Sequence, residues 1–513
     1  MILSDSLSFK IWKILLILLP VSSFTMLSNL MGGTNVAPLS LIPMGILLVD
    51  SFLPFFIKSG FKLPYHLKPL LLFFLIGLLS TLFVSIRDVP TFQDFSLQKE
   101  ILEAIVTFII GVGFYIVTIY MVNDEEKLQS TIYWISLAGI IIMAVSFLQV
   151  GIWMVFKSYP NWLHGLNHFF SSSGKLFEHR AHGLSFEPSW LAHQLNILFI
   201  PLWMGLSISG VSVFKKKIFN KIQVEKVLFV LSILTLFITY SRIGWITTIL
   251  LTAFVVMRML NTWVEKISKT EKDGKIFTTR KQKFLRLGIW LGLIIGLIIV
   301  LVLAGIVMTK LEPRMAEFFN FQRLKEKGIL NWASQLSIGE RIIYWMAAYG
   351  VFQLFPFLGA GFGVPGFFFL KTVPDFGSEL LDINALILKK TLLPNAKNLW
   401  MRLLAETGII GFSVFVSWVF LHLRNAIQLE KKANSPLLKS MGLIGKLVVL
   451  AFVIEGISLD SFALPYYWVA MGLVAASSLI ADQASVKIGA NIESTKVSNS
   501  SENSFSTGKS SFS

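Results

Sequence analysis

The residues best suited to chemistry are arginines and carboxylates at the ends of apolar runs. Arg180 and His182, both candidate substrate contacts, lie in a polar segment that ends at Glu187, immediately before Pro188. A guanidinium is a permanent cation whose planar fork of donors suits phosphate, and an acid beside it suits a general base. The alternative interpretation is structural, because Pro188 is typical of a helix start and Glu187 would then cap the helix dipole.

Two further arginines lie in the second half of the chain. Arg242 stands between two apolar runs, where a charge at bilayer depth costs about 3 kcal/mol unless it meets an anion or a cavity. The alternative for Arg242 is to extend into the lipid headgroups. Arg341 opens an aromatic stretch that continues to Leu354, with a spacing that suits a helix lying in the membrane interface.

A glycine-rich turn follows that stretch. Pro356 precedes Gly359, Gly361 and Gly363, and this pattern predicts a turn whose bare backbone amides meet a phosphate or a sugar. Gly361 and Gly363 are therefore candidate substrate contacts. The alternative is a tight turn that only joins two helices.

The next candidate segment runs from a polar loop into an apolar helix. Lys397 and Asn398 stand at its entrance, and Arg402 and Glu406 follow. Lys397, Asn398 and Glu406 are candidate substrate contacts. Arg402 and Glu406 are four residues apart, so a pair on one helical face is the structural alternative.

A final corner adds two carboxylates. Glu455 and Asp460 precede Pro465 and Trp468, close to the same predicted surface. The simpler interpretation is that they are solvated loop acids, and it fits Asp460 better than Glu455.

The elements that must position these residues are membrane helices. The chain has 513 residues, of which 54% are hydrophobic and only 14% charged, a balance unlike that of soluble domains. Recurring runs of about 20 apolar residues predict an all-α polytopic membrane bundle of about 12 transmembrane helices. The net charge of +16 is concentrated in short loops between these runs, which argues against nucleic acid as a partner. The chain has no cysteine, which excludes disulfides and thiolate sites.

The loop charges predict the orientation of the bundle. Basic loops at 58–68, 215–226, 266–286 and 424–439 all fall on one side, which the positive-inside rule makes cytoplasmic. Both termini are then cytoplasmic, and the candidate residues face the outside of the plasma (inner) membrane. The stretch 227–257 is short for two spans, but basic loops on both sides favour two helices over one bent helix.

The predicted units follow from this topology. The first apolar run, 11–30, lacks a small-residue cleavage site and is predicted to be an uncleaved first helix. Long outer loops often carry function, and a tail poor in large apolar residues is typical of disorder. The units are N-terminal helices at 1–156, an outer loop at 157–188, central helices at 189–308, a long outer loop with interfacial helices at 309–398, C-terminal helices at 399–481, and a disordered cytoplasmic tail at 482–513.

In order and spacing, these segments resemble the O-antigen ligase and Wzy-type polymerase family of membrane glycosyltransferases. The resemblance rests on 241–244, on Arg341 with the turn at 356–363, and on 398–411, and it covers roughly 180–468. It implies a GT-C-like bundle that uses polyprenyl-diphosphate-linked oligosaccharide. Membrane lipid and a chain-length regulator protein are the further partners that it implies.

One position departs from the family pattern. Many members have His before the Asn of the last segment, and this chain has Lys397 there. Because that His is considered catalytically important in ligases, the departure favours a polymerase over a ligase that transfers glycan to lipid A core. The Glu187-Pro188-Ser189 element also looks more like polymerases, which would extend O-antigen, capsule or exopolysaccharide.

The resemblance and the residues together give a mechanistic hypothesis. Arg180, Arg242 and Arg341 hold the diphosphate and stabilise the charge of the leaving group, so that no metal or other cofactor is required. Glu187 is the predicted general base, Arg242 and Arg341 are the other catalytic candidates, and Lys397 is an alternative electrostatic partner of the diphosphate. Several outer histidines leave a metal site open as an alternative.

Two other classes of protein remain as alternatives. A secondary transporter or flippase would need polar residues along a central path, where Asp50, Glu103 and Lys446 are the main candidates. A cell-wall glycosyltransferase of the shape-elongation-division type would need an outer acidic motif, which is not evident.

Overall fold

All named elements of the structure are helical, in line with the predicted all-α class, which is confirmed. The computed structural model describes residues 4–58, 63–218 except 216, 221–270, 279–311, 338–379 and 393–506, together with residue 60 and a few residues between 322 and 383. The α-helices are α1 (Asp5–Leu18), α2 (Thr25–Leu30), α3 (Leu41–Leu47), α4 (Leu53–Lys58), α5 (Lys68–Ser85), α6 (Leu97–Met121), α7 (Glu125–Phe156), α8 (Asn161–Phe170), α9 (Pro188–Gln194), α10 (Ile200–Ser209), α11 (Val224–Phe237), α12 (Arg242–Thr270), α13 (Thr279–Leu311), α14 (Gly339–Leu354), α15 (Phe369–Thr372), α16 (Leu399–Lys432), α17 (Pro436–Glu455) and α18 (Pro465–Ser506). Single π turns join α3 to α4 at Leu48–Phe52 and α9 to α10 at Leu195–Phe199.

Seven helical segments in the described residues are long and apolar enough to cross a membrane. The chain is therefore a polytopic membrane protein, while the count of twelve spans stays a prediction. The seven segments are Tyr65–Val84, Leu97–Met121, Glu125–Phe156, Pro188–Ser209, Arg242–Trp263, Leu399–Lys432 and Pro436–Glu455.

The first apolar run is not one helix, and that prediction is wrong. α1 ends at Leu18 and α2 begins at Thr25, because Pro20 lacks a backbone donor and restricts the residue before it. Between the two helices, the Phe24 amide donates to the Ala37 carbonyl over 2.7 Å. The chain there pairs with another segment instead of continuing as a helix.

The stretch 227–257 contains two helices, as the loop charges predicted. α11 and α12 are joined by a tight turn in which Tyr240 has a positive φ of 53°. The indole of Trp245 donates to the Leu236 carbonyl over 3.1 Å and so fastens α12 to α11. This turn, which ends at Arg242, is therefore fixed relative to both helices.

The last helix is longer than the sequence predicts. α18 continues to Ser506, into the segment predicted as a disordered tail from residue 482. Adding residues to an established helix fixes one hydrogen bond for each residue, so a helix that starts in a packed apolar run extends easily.

The candidate residues lie at one end of the bundle. There, α5, α7, α11 and α17 end, and α6, α9, α12, α16 and α18 begin. The loops that carry the predicted basic clusters join the opposite ends of these helices. The separation of the two ends follows from helix order alone, and which end faces the outside stays a prediction.

An aromatic core lies beneath the glycine-rich turn. Phe362 of that turn is fully buried, and its ring packs 5.9 Å from the ring of Phe73 and 6.1 Å from that of Phe108. Gly77 of α5 leaves room for it, since a Cβ there would lie 2.1 Å from Phe362. The turn is thereby anchored in the helix bundle.

Candidate functional site

The loop that contains Arg180 folds against the turn between α11 and α12. The Ala181 amide donates to the Ile238 carbonyl over 2.8 Å, and the Nε of Arg180 donates to the Thr239 carbonyl over 3.1 Å. Arg242 begins α12 three residues after Thr239. Arg180 and the turn that carries Arg242 therefore belong to the same part of the molecule.

His182, a predicted substrate contact, is fully buried and holds this loop in place. One ring nitrogen lies 2.8 Å from the Ser185 carbonyl and the other 3.3 Å from the Gln149 amide nitrogen. The Gln149 side chain also accepts from the amides of His182 and Gly183. Burial lowers the pKa of His182 to about 4, which keeps the ring neutral at physiological pH. The ring has no face towards a substrate here, so the side chain positions the loop.

Glu187 occupies the N-cap position of α9 but does not use its side chain as a cap. Its carboxylate accepts from the Ser189 hydroxyl, and the residue is partly exposed. The structural alternative of a carboxylate bound to the helix amides is therefore not what the structure contains. The carboxylate retains acceptor capacity at the mouth of the helix.

Arg341 lies in the first turn of α14 and reaches across to another element. Its Nη1 donates to the Ser458 hydroxyl over 2.8 Å. Ser458 follows the end of α17, and its amide donates to the Glu455 carbonyl over 2.9 Å. Arg341 is thus tied to the segment between α17 and α18.

The glycine-rich turn does not present bare amides, contrary to the expectation for Gly361 and Gly363. The Gly361 amide donates to the Glu406 carbonyl over 2.8 Å, and the Gly363 amide donates to the Glu406 side chain over 3.1 Å. Between them, the Phe362 amide donates to the Thr81 hydroxyl over 2.9 Å. Because these donors are already paired, the turn serves to dock onto α16.

A break in α16 receives the glycine-rich turn. Gly408 has a φ of 60° and a ψ of −167°, outside the helical region. A Cβ at Gly408 would lie 2.3 Å from the Phe357 carbonyl oxygen, and the Ile409 amide donates to the Pro356 carbonyl over 2.9 Å. Only glycine tolerates this backbone and this close approach.

The start of α16 is capped by Asn398, one of the predicted substrate contacts. Its side-chain oxygen accepts from the amides of Trp400 and Met401 over 2.9 and 3.2 Å. This is the usual N-cap arrangement, and the residue is buried. Lys397, immediately before it, is exposed.

Arg402 and Glu406 form the pair that their spacing suggests. The Nε of Arg402 donates to Glu406 over 3.0 Å, and its Nη1 donates to the Asp460 carbonyl over 2.5 Å. The guanidinium also lies 4.8 Å from the centre of the Phe462 ring. Arg402 therefore links α16 to the segment before α18.

A buried polar network surrounds Glu455. The Nδ1 of His193 lies 2.5 Å from one carboxylate oxygen, and the amide of Asn196 donates to the other over 2.5 Å. The same amide donates to the Gly244 carbonyl over 2.8 Å, and Thr248 donates to the Asn196 oxygen over 2.6 Å. Glu455 and His193 are both almost fully buried. The network joins the end of α17 to the last turn of α9, to the π turn that follows it, and to the first turns of α12.

Residues 455–466, which we call the 455–466 corner, are the common attachment point. Arg341 binds the corner at Ser458, Arg402 binds it at Asp460, and the Glu455 network fixes it to the first turn of α12. The structure thus gathers segments that are widely separated in the sequence. The convergence of Arg180, Arg242 and Arg341 on one ligand stays a prediction.

His193 was predicted only as one of the outer histidines that leave a metal site open, and Asn196 and Ser458 had no predicted role. A usable signal was present for the first two, since both are polar residues inside the apolar run that starts at Ser189. Polar groups in a membrane span are costly and need partners. Ser458 has no such signal, because a serine in a loop is ordinary.

Comparison with protein families identifies the central part of the chain. Residues 227–416 match the model of the O-antigen ligase family, Wzy_C. This segment is therefore similar to the O-antigen ligase family. The predicted resemblance is thereby confirmed, over a narrower range than the 180–468 expected, and the match supports a membrane glycosyltransferase of the ligase or polymerase type in general. No curated protein matches the chain.

The O-antigen ligase segment contains only part of the candidate site. Arg180, His182, Glu187 and the whole 455–466 corner lie outside it. Within it are Arg242, Arg341, Gly361, Gly363, Lys397, Asn398, Arg402 and Glu406. Residues outside the match contact the matched segment. Arg180 binds the Thr239 carbonyl, Asn196 of the Glu455 network binds the Gly244 carbonyl, and the Asp460 carbonyl binds Arg402. The site therefore extends beyond the matched range.

Among the residues that the structure describes, no three His, Asp or Glu side chains are grouped in the way a metal ion requires.

Proposed function

We propose that this protein is a polymerase that joins polyprenyl-diphosphate-linked oligosaccharide repeat units into a surface polysaccharide. On this proposal it works at the extracytoplasmic face of the plasma membrane, with both termini cytoplasmic. The proposal rests chiefly on the attachment of the segments that bear arginine to one corner, where Arg341 binds Ser458 and the Glu455 network fixes the helix that begins at Arg242. A chain-length regulator protein is a proposed partner.

The chemistry assigned to the site is a glycosyl transfer. A hydroxyl of the acceptor unit attacks the anomeric carbon of the donor sugar, and the bond from that carbon to the phosphate oxygen breaks. The lipid diphosphate leaves with the electron pair, and the acceptor proton passes to a base. Guanidinium groups stabilise the charge that grows on the diphosphate, since they remain charged and bind phosphate oxygens in pairs.

Glu187 is our proposed base. It is partly exposed, it lies at the first turn of a helix, and its carboxylate binds the Ser189 hydroxyl without capping that helix. A base must be within hydrogen-bond reach of the proton it removes. Arg341 is the proposed catalytic cation, and Lys397, which is exposed at the entrance of α16, is a second electrostatic partner of the diphosphate.

The test is an in vitro reaction with purified protein and a lipid-diphosphate repeat unit, run with and without a chelator. We expect a ladder of products that survives chelation. Arg341→Ala should abolish the ladder while membrane insertion remains normal, and Arg341→Lys should restore little, because an ammonium lacks the planar fork. Arg424→Ala removes an exposed cation from the opposite end of the bundle and serves as the matched control. Normal chain length with Arg341→Ala would refute the role of this residue.

Ligase activity is the second candidate, because the matching family model is described as O-antigen ligase. A ligase would transfer a finished glycan to lipid A core and would not form a ladder from single repeat units. Offering both acceptors to the purified protein separates the two functions. Transfer to lipid A core without a ladder would decide for ligation.

A further inference from the structure

The helix α8, in the loop before the candidate base, has an apolar stripe that the protein leaves exposed. Leu163 and Asn167 are buried and share the face of α8 that packs against the rest of the molecule. Trp162, Leu166 and Phe169 share a second face, and they are 55%, 38% and 51% exposed. Their spacing of four and then three residues is that of a single helical stripe.

The third face of α8 is polar. Asn161, His164 and His168 lie on it and are exposed, and the sequence of α8 contains no Asp, Glu, Lys or Arg. Three large apolar side chains on one stripe are unfavourable in water. A helix with Trp, Leu and Phe on one exposed face and polar groups on another is typical of helices that lie in a membrane surface.

The helix α8 begins close to the end of a membrane-spanning segment. The segment Glu125–Phe156 is long and apolar enough to cross a membrane. At its end, Val155 and Phe156 are 72% and 68% exposed, as expected of side chains that face lipid. Asn161 follows Phe156 by five residues, so the start of α8 lies within roughly 17 Å of that end.

Tyr159, in the short linker, holds α8 beside the end of α7. Its ring lies 5.3 Å from the ring of Trp153, in the last turn of α7, and 6.1 Å from the ring of His164, in the first turn of α8. Its hydroxyl donates to the Phe177 carbonyl over 2.8 Å. Trp and Tyr are enriched where membrane helices meet the headgroups. The start of α8 is therefore fixed where α7 leaves the apolar layer.

The segment between α1 and α2 joins the other end of α8 to the candidate site. The hydroxyl of Thr25, at the start of α2, donates to the His168 carbonyl over 2.5 Å. The Phe186 amide donates to the Ser22 hydroxyl over 3.1 Å. This segment thus binds both α8 and the residue immediately before Glu187.

We propose that α8 lies in the membrane surface at this end of the bundle, with Trp162, Leu166 and Phe169 among the lipid chains and its histidines in water. The occupant of the stripe is bilayer phospholipid, because the stripe follows the exposed apolar end of α7 along the chain and is held beside it. The depth of α8 in the lipid then sets the depth of the loop that carries Glu187. This inference does not depend on whether the protein is a polymerase or a ligase.

Single cysteines test this proposal, because the chain has none of its own. Leu166→Cys and the matched control His168→Cys are each labelled with an NBD fluorophore, and the full-length protein is reconstituted into phosphatidylcholine vesicles. We expect the label at 166 to emit at shorter wavelength and to lose fluorescence when the vesicles contain phosphatidylcholine spin-labelled near the headgroup. The label at 168 should ignore the spin-labelled lipid and should be quenched by iodide present on both sides of the membrane.

Trp162→Cys and Asn161→Cys repeat the comparison at the start of the helix, so that one variant that fails to fold does not end the test. Iodide quenching of the labels on both faces, without lipid quenching, would show that α8 stands in water and would overturn the proposal. A label at 166 that neither quencher reaches would show that protein, such as a second copy of the chain, covers the stripe, and would also overturn it. Loss of the lipid quenching on addition of a polyprenyl phosphate would assign the stripe to the carrier lipid and not to the bilayer.

Discussion

Two glutamates hold helices together at opposite ends of the bundle, and they do so in different ways. Glu430, at the end with the basic loops, binds the basic side chains of Arg258 and Lys446. Glu455, at the end with the candidate site, binds a histidine and a neutral amide and is fully buried. The side chain of Glu430 retains 17% exposure, and that of Arg258 retains 38%.

The difference indicates that the end with Glu430 is built for stability alone. Transfer of a carboxylate out of water is costly unless charges of opposite sign and hydrogen bonds replace the water. Glu430 has two cations and some solvent, whereas Glu455 depends on one titratable ring and one amide. Proteins tolerate such costs mainly at functional sites. The Glu455 network also lies where the arginine segments meet, and the Glu430 network does not.

The largest effect should come from removing each glutamate in turn. Glu455→Ala should lower the free energy of unfolding by about 3–5 kcal/mol, because it breaks a buried pair, and it should abolish chain elongation. Glu430→Ala should cost only about 1–2 kcal/mol, because its partners are partly exposed, and elongation should persist. Denaturation in detergent micelles and the ladder assay measure the two effects. Equal loss of elongation in both variants would show that Glu455 and Glu430 do not differ in their importance for the reaction.

Acid should weaken the loop that carries Arg180, since that loop is held in place by a buried histidine. The pKa of His182 is lowered from 6.5 to about 4 by burial. Below pH 6.5 the unfolded chain takes up a proton that the folded chain refuses, so stability falls as the pH drops to about 4 and then levels off. The loss attributable to His182 is about 3 kcal/mol. Unfolding free energies measured across this range should show a shallower slope in His182→Gln, and an identical slope would contradict the assignment.

Glycine substitutions should separate the anchored turn from open helix surface. Gly359 has a φ of +76°, and a Cβ there would lie 2.4 Å from the backbone of Glu406. Gly359→Ala should therefore cost about 2 kcal/mol and reduce elongation. Gly165→Ala is the control, because nothing lies within 4 Å of its Cβ position, and it should be neutral or slightly stabilising. Thermal unfolding of both variants provides the comparison, and equal melting temperatures would argue against a docked turn.

The smallest change concerns the contact between Arg341 and the corner. Ser458→Ala removes the hydroxyl that accepts from Arg341, and should reduce elongation by about tenfold with a stability loss of about 1 kcal/mol. Ser417→Ala, whose exposed hydroxyl bonds only within its own helix, is the control. If elongation rates of the two variants agree, Ser458 does not hold Arg341 for the reaction.

The fold class followed from the sequence because the bilayer imposes a length and a polarity on each helix. The pair of Arg402 and Glu406 was also predictable, since four residues bring side chains onto one helical face. The break after α1 was missed because hydrophobicity outweighed a single proline in the interpretation of that run. Local rules of this kind reach only a few residues along the chain.

The candidate site was predictable only in part, because its residues contact partners that are far away in the sequence. His193 and Glu455 are separated by 262 positions, and no local pattern relates them. Gly361 and Gly363 were recognised as a turn, but their amides bind Glu406 and not a ligand, which depends on how α16 passes the turn. Glu187 and Arg341 were singled out as candidates because charged groups are rare in a chain this apolar.

The non-helical backbone at Gly408 divides α16 into two rods that share one joint. The amides just after the joint, those of Ile409 and Ile410, donate to carbonyls of Pro356 and Phe357 and not to the preceding turn of their own helix. The amides of Ala360 and Gly361 in turn donate to the carbonyls of Ala405 and Glu406, before the joint. The glycine-rich turn therefore bridges both rods, and a displacement of the turn would move Arg402 and Glu406 together with the start of the longer rod.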